Sequence, residues 1–348
     1  MKAAVFKEVG SPLVIENVPD PTPMPKELVI RVEACGVCGT DLHMSENRSS
    51  EGGWRLLEPG CILGHEFAGE IVEVGKSLSG DWRKGDRVTS LPWIGCGTCV
   101  QCLQGRPYRC PSVVMRASLD LPGAYSEFCR VGAAEALCLP DGVGFEEGAL
   151  VEPLAVGFSA VQRGNIEAGD TVFIMGAGPV GLSVALWCRF FGAQHIFVSD
   201  VSEERAIAAL NFGATTAVKV GHGDVREQLL DQAGHPPKVI FDCVGLPGTL
   251  QIAIDCAAPY AKIIVVGLCM QLDHFFPAKA LMKELDIRFA YVYSKEDFET
   301  VIRHIQERRI EPSQLVSSRV DLSDFPITFE KLKQPGSEIK VLLKPDSS

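Results

Sequence analysis

A glycine motif directly after an apolar strand segment limits the fold of the second half of this chain more than any other feature. The segment TVFIM is followed by a G-x-G-x-x-G motif that contains Gly176, Gly178, Pro179, Val180 and Gly181. In such a motif the first glycine allows a sharp turn, the second lets the backbone approach a pyrophosphate, and the third lets helix and strand pack closely. Because an apolar helix pattern starts here, its free N–H groups would attract the phosphates. The motif therefore predicts a dinucleotide site.

An acidic residue at the end of the next strand segment indicates which dinucleotide binds. Asp200 ends the segment HIFVSD, 19 residues after Gly181. Its carboxylate would accept hydrogen bonds from the adenosine ribose and would repel a 2′-phosphate, so NAD is favoured over NADP. Arg205 leaves acceptance of NADP open, because a nearby arginine can accommodate a phosphate. We expect Arg205 to pair with Asp200 or to lie over the adenine, and the alternative is a solvated helix residue.

Strand and helix patterns alternate from about residue 150 onwards. This alternation is typical of a parallel sheet covered by helices on both faces, which is an α/β fold. Six such strands make a complete doubly wound (Rossmann) dinucleotide-binding domain, which we predict for residues 153–294. The strand segments are 171–175, 195–200, 216–220, 238–245, 261–268 and 286–293. We expect further cofactor contacts near the ends of the later strands, at Val244, Val266, Gly267, Tyr291 and Tyr293.

The first part of the chain has a different pattern. Short alternating segments such as KAAVF, LVIRVEA and FAGEIVEVG are broken by glycine and proline, and no long helical period occurs. This indicates an irregular β-rich domain. The last residues return to mixed character and end in SEIKVLLKP, a strand pattern, so we expect them to rejoin the first domain. The predicted domains are residues 1–152 with 295–348, and the inserted residues 153–294.

Four of the 13 cysteines lie in one 17-residue stretch with the spacing C-x2-C-x2-C-x7-C. Two-residue gaps let thiolates converge, and glycines in the stretch allow the turns that convergence requires. Four sulfur ligands in a closed tetrahedron are what a structural Zn²⁺ prefers. The alternatives are scattered buried thiols or a disulfide cluster. The predicted ligands of this structural zinc are Cys96, Cys99, Cys102 and Cys110.

A second set of metal ligands occurs earlier in the chain. Cys38 lies in CGVCGTDLH, and His65 with Glu66 lies in LGHEFAGE; Glu152 is a further acidic candidate near the domain boundary. A thiolate, an imidazole and a carboxylate suit a catalytic zinc, which keeps one position open for water or substrate. Cys35 and Cys38 also form a C-x-x-C, but the segment around them does not have the strand–helix turn of a redox pair.

Composition excludes several classes of function. The net charge of −11 and the absence of a basic tract argue against a nucleic-acid partner. No apolar run reaches the roughly 18–20 residues that cross a bilayer, and the start of the chain has no signal-peptide pattern. Many cysteines without such a leader suggest a reducing compartment. We therefore expect a cytoplasmic protein that acts on small molecules and does not bind a membrane.

Several motifs together resemble one family. The segments CGVCGTDLH, LGHEFAGEIVEVG, GDRV, the four-cysteine stretch, EPLAVG, GAGPVG and FDCVG occur in the order seen in zinc-dependent medium-chain alcohol dehydrogenases. The similarity covers nearly the whole chain and is greatest to the polyol, butanediol and threonine dehydrogenase branch. It implies a GroES-like first domain, two zinc ions per subunit, NAD, and a homo-oligomer, either a dimer or a tetramer.

The resemblance also implies roles for individual residues. Cys38, His65 and either Glu66 or Glu152 would surround the catalytic zinc, and Thr40 and His43 would relay the substrate proton to solvent. Hydride would pass between an alcohol and NAD, giving a ketone or aldehyde. Competing hypotheses are a non-catalytic NAD-binding protein, which should have lost zinc ligands, and a zinc-independent reductase, which should lack Cys38 and the four-cysteine stretch.

Two positions depart from the polyol dehydrogenase pattern. Met44 stands where a tyrosine is usual in that branch, and Val292 stands where an arginine precedes a tyrosine. Without those partners, each buried sugar hydroxyl left without a hydrogen bond would cost about 1–3 kcal/mol of binding free energy. The sequence therefore favours a secondary, cyclic or otherwise weakly polar alcohol, with a polyol or L-threonine as the alternative. Residues 45–60 are expected to border the substrate pocket, where Trp54 either lines it or simply packs.

Overall fold

The structure is a computed structural model of the whole chain. It describes residues 1–50, 53, 55–78, 82–221, 223–334 and 336–345. Two compact units are distinguished, Met1–Glu152 with Ser294–Ser348 and Pro153–Tyr293. Among the described residues, no helix combines the length and the apolar character needed to pass through a bilayer.

The strands and helices alternate along the second unit. The strands are β10 (Thr171–Met175), β11 (His195–Asp200), β12 (Thr216–Lys219), β13 (Val239–Asp242), β14 (Lys262–Val265) and β15 (Asp286–Phe289). The helices are α5 (Pro179–Phe190), α6 (Glu203–Ala208), α7 (Val225–Ala233), α8 (Thr249–Cys256) and α9 (Pro277–Met282), with a 3₁₀ turn at Ala209–Phe212.

All pairs in this sheet are parallel, in the order β12-β11-β10-β13-β14-β15. The strand order runs outward in one direction from β10 to β12 and in the other direction from β13 to β15. The sheet therefore has two halves that meet between β13 and β10, the strand that carries the glycine motif. β10 and β13 are buried along their whole length, as expected for strands covered on both faces. The prediction of a doubly wound parallel sheet is confirmed.

The first unit is built mainly from short strands that pair antiparallel, except that the last two are parallel to each other. They are β1 (Lys2–Val5), β2 (Val14–Asn17), β3 (Glu27–Gly36), β4 (Glu66–Val74), β5 (Arg87–Ser90), β6 (Trp93–Ile94), β7 (Val114–Met115), β8 (Phe128–Gly132), β9 (Ala136–Cys138), β16 (Val316–Asp321) and β17 (Lys340–Lys344). Its helices are α1 (Gly39–Glu46), α2 (Val100–Leu103), α3 (Phe145–Ala149), α10 (Lys295–Gln306) and α11 (Phe325–Leu332), with 3₁₀ turns at Pro107–Arg109 and Pro312–Leu315. Helix α4 (Val151–Gly164) begins in this unit and continues into the other.

The main sheet of the first unit has the described order β16-β17-β3-β4-β5-β9, with β8 also paired to β3. The C-terminal strand β17 lies next to β3, so the end of the chain does join the first unit's sheet. An apolar core fills this unit, where the ring of Tyr125 packs against Phe325 and Phe329 of α11 at centroid distances of 4.6 and 6.1 Å.

Some elements differ from the sequence patterns. The apolar segment 286–293 predicts one long strand, but β15 stops at Phe289, and Ala290 makes a last ladder hydrogen bond to Val265. Helix α1 was not predicted, because its apolar residues show almost no helical period and it is short. It directly follows β3, so the Cys35–Cys38 segment is a strand–helix turn, and the sequence-based statement that such a turn is absent is wrong. This position decides the geometry of the site described next.

Candidate functional site

The structure brings the four cysteines of the 95–111 segment together. Cys96 follows β6, Cys99 precedes α2, Cys102 lies in α2, and Cys110 follows the 3₁₀ turn. Their sulfur atoms all lie within 4.8 Å of one another, and those of Cys96 and Cys102 are 4.0 Å apart. A tetrahedron with Zn–S bonds of about 2.3 Å spaces its sulfur atoms about 3.8 Å apart. The donor set therefore fits a structural zinc.

Local hydrogen bonds also prepare this cluster for a metal. The Thr98 hydroxyl, its N–H and the N–H of Cys99 donate to the sulfur of Cys96 at 3.5, 3.5 and 3.3 Å, and lower the pKa of Cys96 to about 5. Gly95 is required by packing, since a Cβ there would lie 2.7 Å from the sulfur of Cys102. Thiolates are the form that binds metal, so these contacts favour the liganded state.

A second cluster contains Cys38, His65 and Glu66, whose ligand atoms lie within 4.8 Å of one another. The antiparallel pairing of β3 and β4 explains how they meet. Gly36 at the end of β3 lies opposite Glu66 at the start of β4, Cys38 follows two residues later, and His65 immediately precedes β4. A Cβ on Gly36 would lie 2.1 Å from a carboxylate oxygen of Glu66, so only glycine leaves room for that side chain. One sulfur, one nitrogen and one oxygen ligand fit a catalytic zinc.

Among the described residues, this cluster contains Cys38, His65 and Glu66 but not Glu152. Glu152 is buried, at 7 % exposure, in the first turn of α4, and its charge raises the pKa of Lys340. Of the two acidic candidates, Glu66 is thus the one that the fold places beside Cys38 and His65.

His65 is oriented by a buried carboxylate. Its Nδ1 lies 3.1 Å from Oδ1 of Asp41, and the hydroxyl of Tyr125 donates to Oδ2 of Asp41 at 2.6 Å. Burial opposes a charge on His65, but the charges of Asp41 and Cys38 outweigh it and raise the pKa of His65 well above its usual value. Burial raises the pKa of Tyr125, which keeps its phenol a donor. With Nδ1–H donating to Asp41, Nε2 is left as the ligand atom.

Lys340 balances the charge of Glu66. Its Nζ donates to both carboxylate oxygens at 2.7 and 2.6 Å and to the carbonyl of Val37 at 2.8 Å. Both side chains are 1 % exposed. Burial lowers the pKa of Lys340, but Glu66 and Cys38 act in the opposite direction and leave it above the ordinary value. The ammonium group therefore stays charged and fixes the carboxylate in place.

The two predicted relay residues lie on α1. Thr40 is half-buried and His43 is exposed. Residues three apart share one face of a helix. Thr40 stands two residues after Cys38, and His43 lies further out in solvent. Their role as a proton relay stays a prediction.

The glycine motif forms the predicted turn at the end of β10. Gly176 has φ +97°, and a Cβ on Gly181 would lie 1.9 Å from the carbonyl oxygen of Gly176, so neither position accepts a side chain. Gly178 precedes α5, with Pro179 in the first turn and Val180 after it, and a Cβ on Gly178 would meet nothing within 4 Å. Open space beside the helix N-terminus fits a bound pyrophosphate.

Asp200 lies at the end of β11, beside this turn. Its two carboxylate oxygens accept hydrogen bonds from the N–H groups of Ala177 at 2.8 Å and Ser202 at 2.9 Å. Each oxygen keeps a second lone pair for a ribose hydroxyl. Ser202 caps α6, since its hydroxyl oxygen accepts a hydrogen bond from the N–H of Arg205 at 3.3 Å. The role of the Arg205 guanidinium stays a prediction.

The other predicted cofactor residues fall into two groups. Val244, Val266 and Gly267 follow β13 and β14 at the carboxyl edge of the sheet, where open α/β sheets bind ligands. Tyr291, which follows β15, is 58 % exposed. Tyr293 is only 1 % exposed, so its side chain leaves no surface for the predicted cofactor contact.

The residues used to infer the substrate are placed as follows. Met44 is partly buried and packs against the core of the first unit. The carbonyl of Val292 accepts a hydrogen bond from the Ser159 hydroxyl at 3.1 Å. Trp54 lies outside the described residues.

The sequence patterns missed Asp41, Tyr125 and Lys340. Asp41 stands three residues after Cys38 in CGTDLH, a spacing that places it one helical turn away from the ligand. Lys340 is a charged residue inside the apolar pattern of SEIKVLLKP, which is a signal for a buried partner. Tyr125 carries no such signal.

Two parts of the chain match known protein domains, and its whole length resembles known dehydrogenases. Residues 24–141 match the alcohol dehydrogenase GroES-like domain, and residues 179–307 match the zinc-binding dehydrogenase domain. Sorbitol dehydrogenase of Bacillus subtilis is 33% identical over 99% of this chain and 98% of its own length.

Solved structures agree with this similarity. The 2R,3R-butanediol dehydrogenase of Bacillus subtilis has a TM-score of 0.88 at 28% identity, covering 99% of both chains. A zinc-binding dehydrogenase of Sinorhizobium meliloti, bound to NADP, has a TM-score of 0.88 at 29% identity, also covering 99% of both chains.

Proposed function

Because this chain belongs to the zinc-dependent medium-chain alcohol dehydrogenase family, we propose that it transfers hydride between an alcohol and NAD, giving the ketone or aldehyde. The observation that carries the proposal is the convergence of Cys38, His65 and Glu66 in a chain that also has the dinucleotide turn. A non-catalytic NAD-binding protein has no need for such a cluster, and neither does a zinc-independent reductase.

The ligand sets assign the cofactors to residues. Cys38, His65 and Glu66 would hold the catalytic zinc, and the four cysteines of the 95–111 segment would hold the structural zinc. When bound, the catalytic zinc polarises the alcohol or carbonyl oxygen, and NAD accepts or supplies the hydride. Two zinc ions per chain are expected in the purified protein.

The chain's own residues prepare and complete this chemistry. Asp41 fixes the ring of His65, and Lys340 with Gly36 fixes the carboxylate of Glu66. Thr40 accepts the proton of the substrate hydroxyl while it passes its own hydroxyl proton on to His43, and His43 releases a proton to solvent, which is general acid–base catalysis by a relay. The same steps run in reverse for reduction of a carbonyl.

The substrate proposed is a secondary, cyclic or otherwise weakly polar alcohol. Met44 supports it, because its thioether has no donor and is only a weak acceptor for a sugar hydroxyl. A polyol, as in the sorbitol dehydrogenase relative, or L-threonine is the second candidate. A panel of alcohols and ketones with NAD and NADP, followed by absorbance of the reduced cofactor, tests the function and separates these substrates. A protein that holds two zinc ions yet oxidises none of them would contradict the proposal.

The location proposed is the cytoplasm. Two cysteine-containing metal clusters need thiols that stay reduced, and this is the condition that a reducing compartment supplies.

Asp200→Ala is expected to raise the Kd for NAD by about tenfold and to reduce the preference for NAD over NADP. The change removes an acceptor for ribose hydroxyls and a charge that repels a 2′-phosphate. Titration of both cofactors into wild type and variant measures the effect. Glu203→Ala, at the exposed first residue of α6, is the control and should leave both dissociation constants within about twofold. A wild type that already prefers NADP would mean that Arg205, not Asp200, decides the choice.

We also propose that the protein is a homodimer or tetramer paired through β15. This strand ends the described sheet, and Phe289 and Tyr291 on or beside it are 72 % and 58 % exposed. An apolar edge of this kind is normally covered or paired. The N–H groups of Asp286 and Ala290 donate to β14 and its flank, so by alternation that of Phe289 points away from the sheet.

Phe289→Pro is therefore expected to split the oligomer without breaking the β14–β15 ladder, because proline removes an outward donor. Phe289→Ala, which keeps the N–H, is the control and should stay largely associated. Light scattering at micromolar concentration measures both. A monomeric wild type would contradict the assembly proposal. Proline at Ala290 is unsuitable, since that N–H donates to Val265 within the sheet.

A further inference from the structure

A buried carboxylate at the carboxyl edge of the nucleotide-binding sheet organises two loops at once. Asp242, the last residue of β13, is 2 % exposed. Its Oδ1 accepts hydrogen bonds from the N–H groups of Val244 at 3.0 Å and Gly245 at 3.3 Å, and its Oδ2 accepts one from the hydroxyl of Thr249 at 2.6 Å. Among the ion pairs of the described residues none includes Asp242, so its charge is balanced by these donors.

The main chain of Asp242 holds the second loop. Its carbonyl oxygen accepts from the N–H groups of both Val266 and Gly267 at 2.8 Å. The loops after β13 and β14 then touch through their backbones, since a Cβ on Gly267 would lie 2.3 Å from the nitrogen of Gly245. No side chain separates them, so the two loops form one continuous wall.

The same wall is joined to the glycine motif. The N–H of Cys243 donates to the carbonyl of Met175 at 2.9 Å, directly before Gly176. A Cβ on Gly176 would lie 3.1 Å from a methyl group of Val244. The Asp242 carboxylate therefore sets the position of Val244, whose side chain packs on the turn of the glycine motif.

We infer that Asp242 is a positioning residue for the nicotinamide half of the cofactor. The inference rests on the proposed function. In a doubly wound sheet each half binds one mononucleotide, and Asp200 on β11 assigns the adenosine to the half formed by β10, β11 and β12. The loops held by Asp242 end the strands of the other half. They present a preformed surface, and preformed loops do not lose ordering entropy when the ligand binds.

The test compares the binding of NADH, which occupies both halves of the nucleotide site, with the binding of ADP, which lacks the nicotinamide. Asp242→Ala is expected to weaken NADH binding by about tenfold and ADP binding by no more than about twofold. The loops that lose their hydrogen bonds end the strands of the nicotinamide half, whereas the glycine turn that ADP uses keeps the Cys243–Met175 hydrogen bond and loses only the exact placement of Val244. Asp242→Asn is the conservative rescue. Its amide oxygen still accepts from Val244 and Gly245, and its NH₂ group donates to the Thr249 hydroxyl. The single hydrogen of that hydroxyl then goes to the carbonyl of Leu246, which lies 2.7 Å away. It should bind NADH within about threefold of wild type.

The control is Asp170→Ala, a buried aspartate that precedes β10 at the opposite edge of the sheet. It should lower the melting temperature but change the NADH-to-ADP affinity ratio little. If Asp242→Ala does not fold, Thr249→Val removes one of the same hydrogen bonds and should show the same selective loss at about threefold.

Equal loss of NADH and ADP binding, or no loss of either, would overturn the inference while leaving the proposed function intact. A wild-type protein that binds no NADH would overturn both.

Discussion

Cys38→Ser is expected to lower kcat/KM for the best alcohol by on the order of 1,000-fold. A metal Lewis acid stabilises the transition state by several kcal/mol, and each loss of about 1.4 kcal/mol lowers the rate tenfold. Zinc content should fall from two ions per chain to one, because Cys38 belongs to the cluster with His65 and Glu66. NADH binding should be unchanged, since the dinucleotide turn lies in the other unit.

Two cysteine variants make this result specific. Cys138→Ser changes an exposed thiol outside both clusters and should leave activity and zinc content as in wild type. Cys99→Ser should also lose one zinc ion, but its main effect should be a lower melting temperature, because a structural zinc contributes folding free energy. Near-normal turnover in a Cys38 variant that contains one zinc ion would refute the assignment of the catalytic cluster.

The dinucleotide turn could be predicted from sequence because its determinants are local. Gly176, Gly178 and Gly181 lie within six residues, and each satisfies a requirement of the turn that the adjacent strand and helix create. Asp200 follows at the end of the next strand of the sheet, which the apolar pattern also marks. Short-range chemistry of this kind fixes the structure before any tertiary contact is considered.

The metal cluster could be predicted only in part. The ligand types were clear, but sequence alone could not choose between Glu66 and Glu152. That choice depends on the pairing of β3 with β4, which sets Gly36 opposite Glu66. The partners of the ligands were harder still. Tyr125 reaches Asp41 across 84 residues, and Lys340 reaches Glu66 across 274, so both contacts exist only once the sheet has formed.

The final strand illustrates a different limit. The apolar segment 286–293 indicates a continuous strand, yet only Asp286–Phe289 is strand, and Tyr293 packs in the interior beyond the end of the strand. An apolar run has no period that separates ladder residues from residues that pack beyond the strand's end. Tertiary packing decides that boundary.

Lys340→Met is expected to destabilise the metal-free protein by about 3–5 kcal/mol at neutral pH. The substitution leaves the carboxylate of Glu66 buried without its cation, and an uncompensated buried charge has a cost of this size. Urea unfolding of the zinc-free variant measures the change. Zinc should recover part of the loss, since the cation would supply positive charge beside the same carboxylate.

The double variant Lys340→Met with Glu66→Gln separates a lost ion pair from lost packing. Removing both charges is expected to restore most of the stability, because replacing a buried pair with neutral groups is often close to neutral. Lys7→Met is the matched control for distance, since Lys7 and Glu16 also lie 2.7 Å apart but are 40% and 38% exposed. That variant should lose less than about 1 kcal/mol, because solvent screens an exposed pair. If the double variant is as unstable as Lys340→Met alone, the lysine stabilises the site through the packing of its stem and its bond to Val37, and the charge of Glu66 is held by other groups.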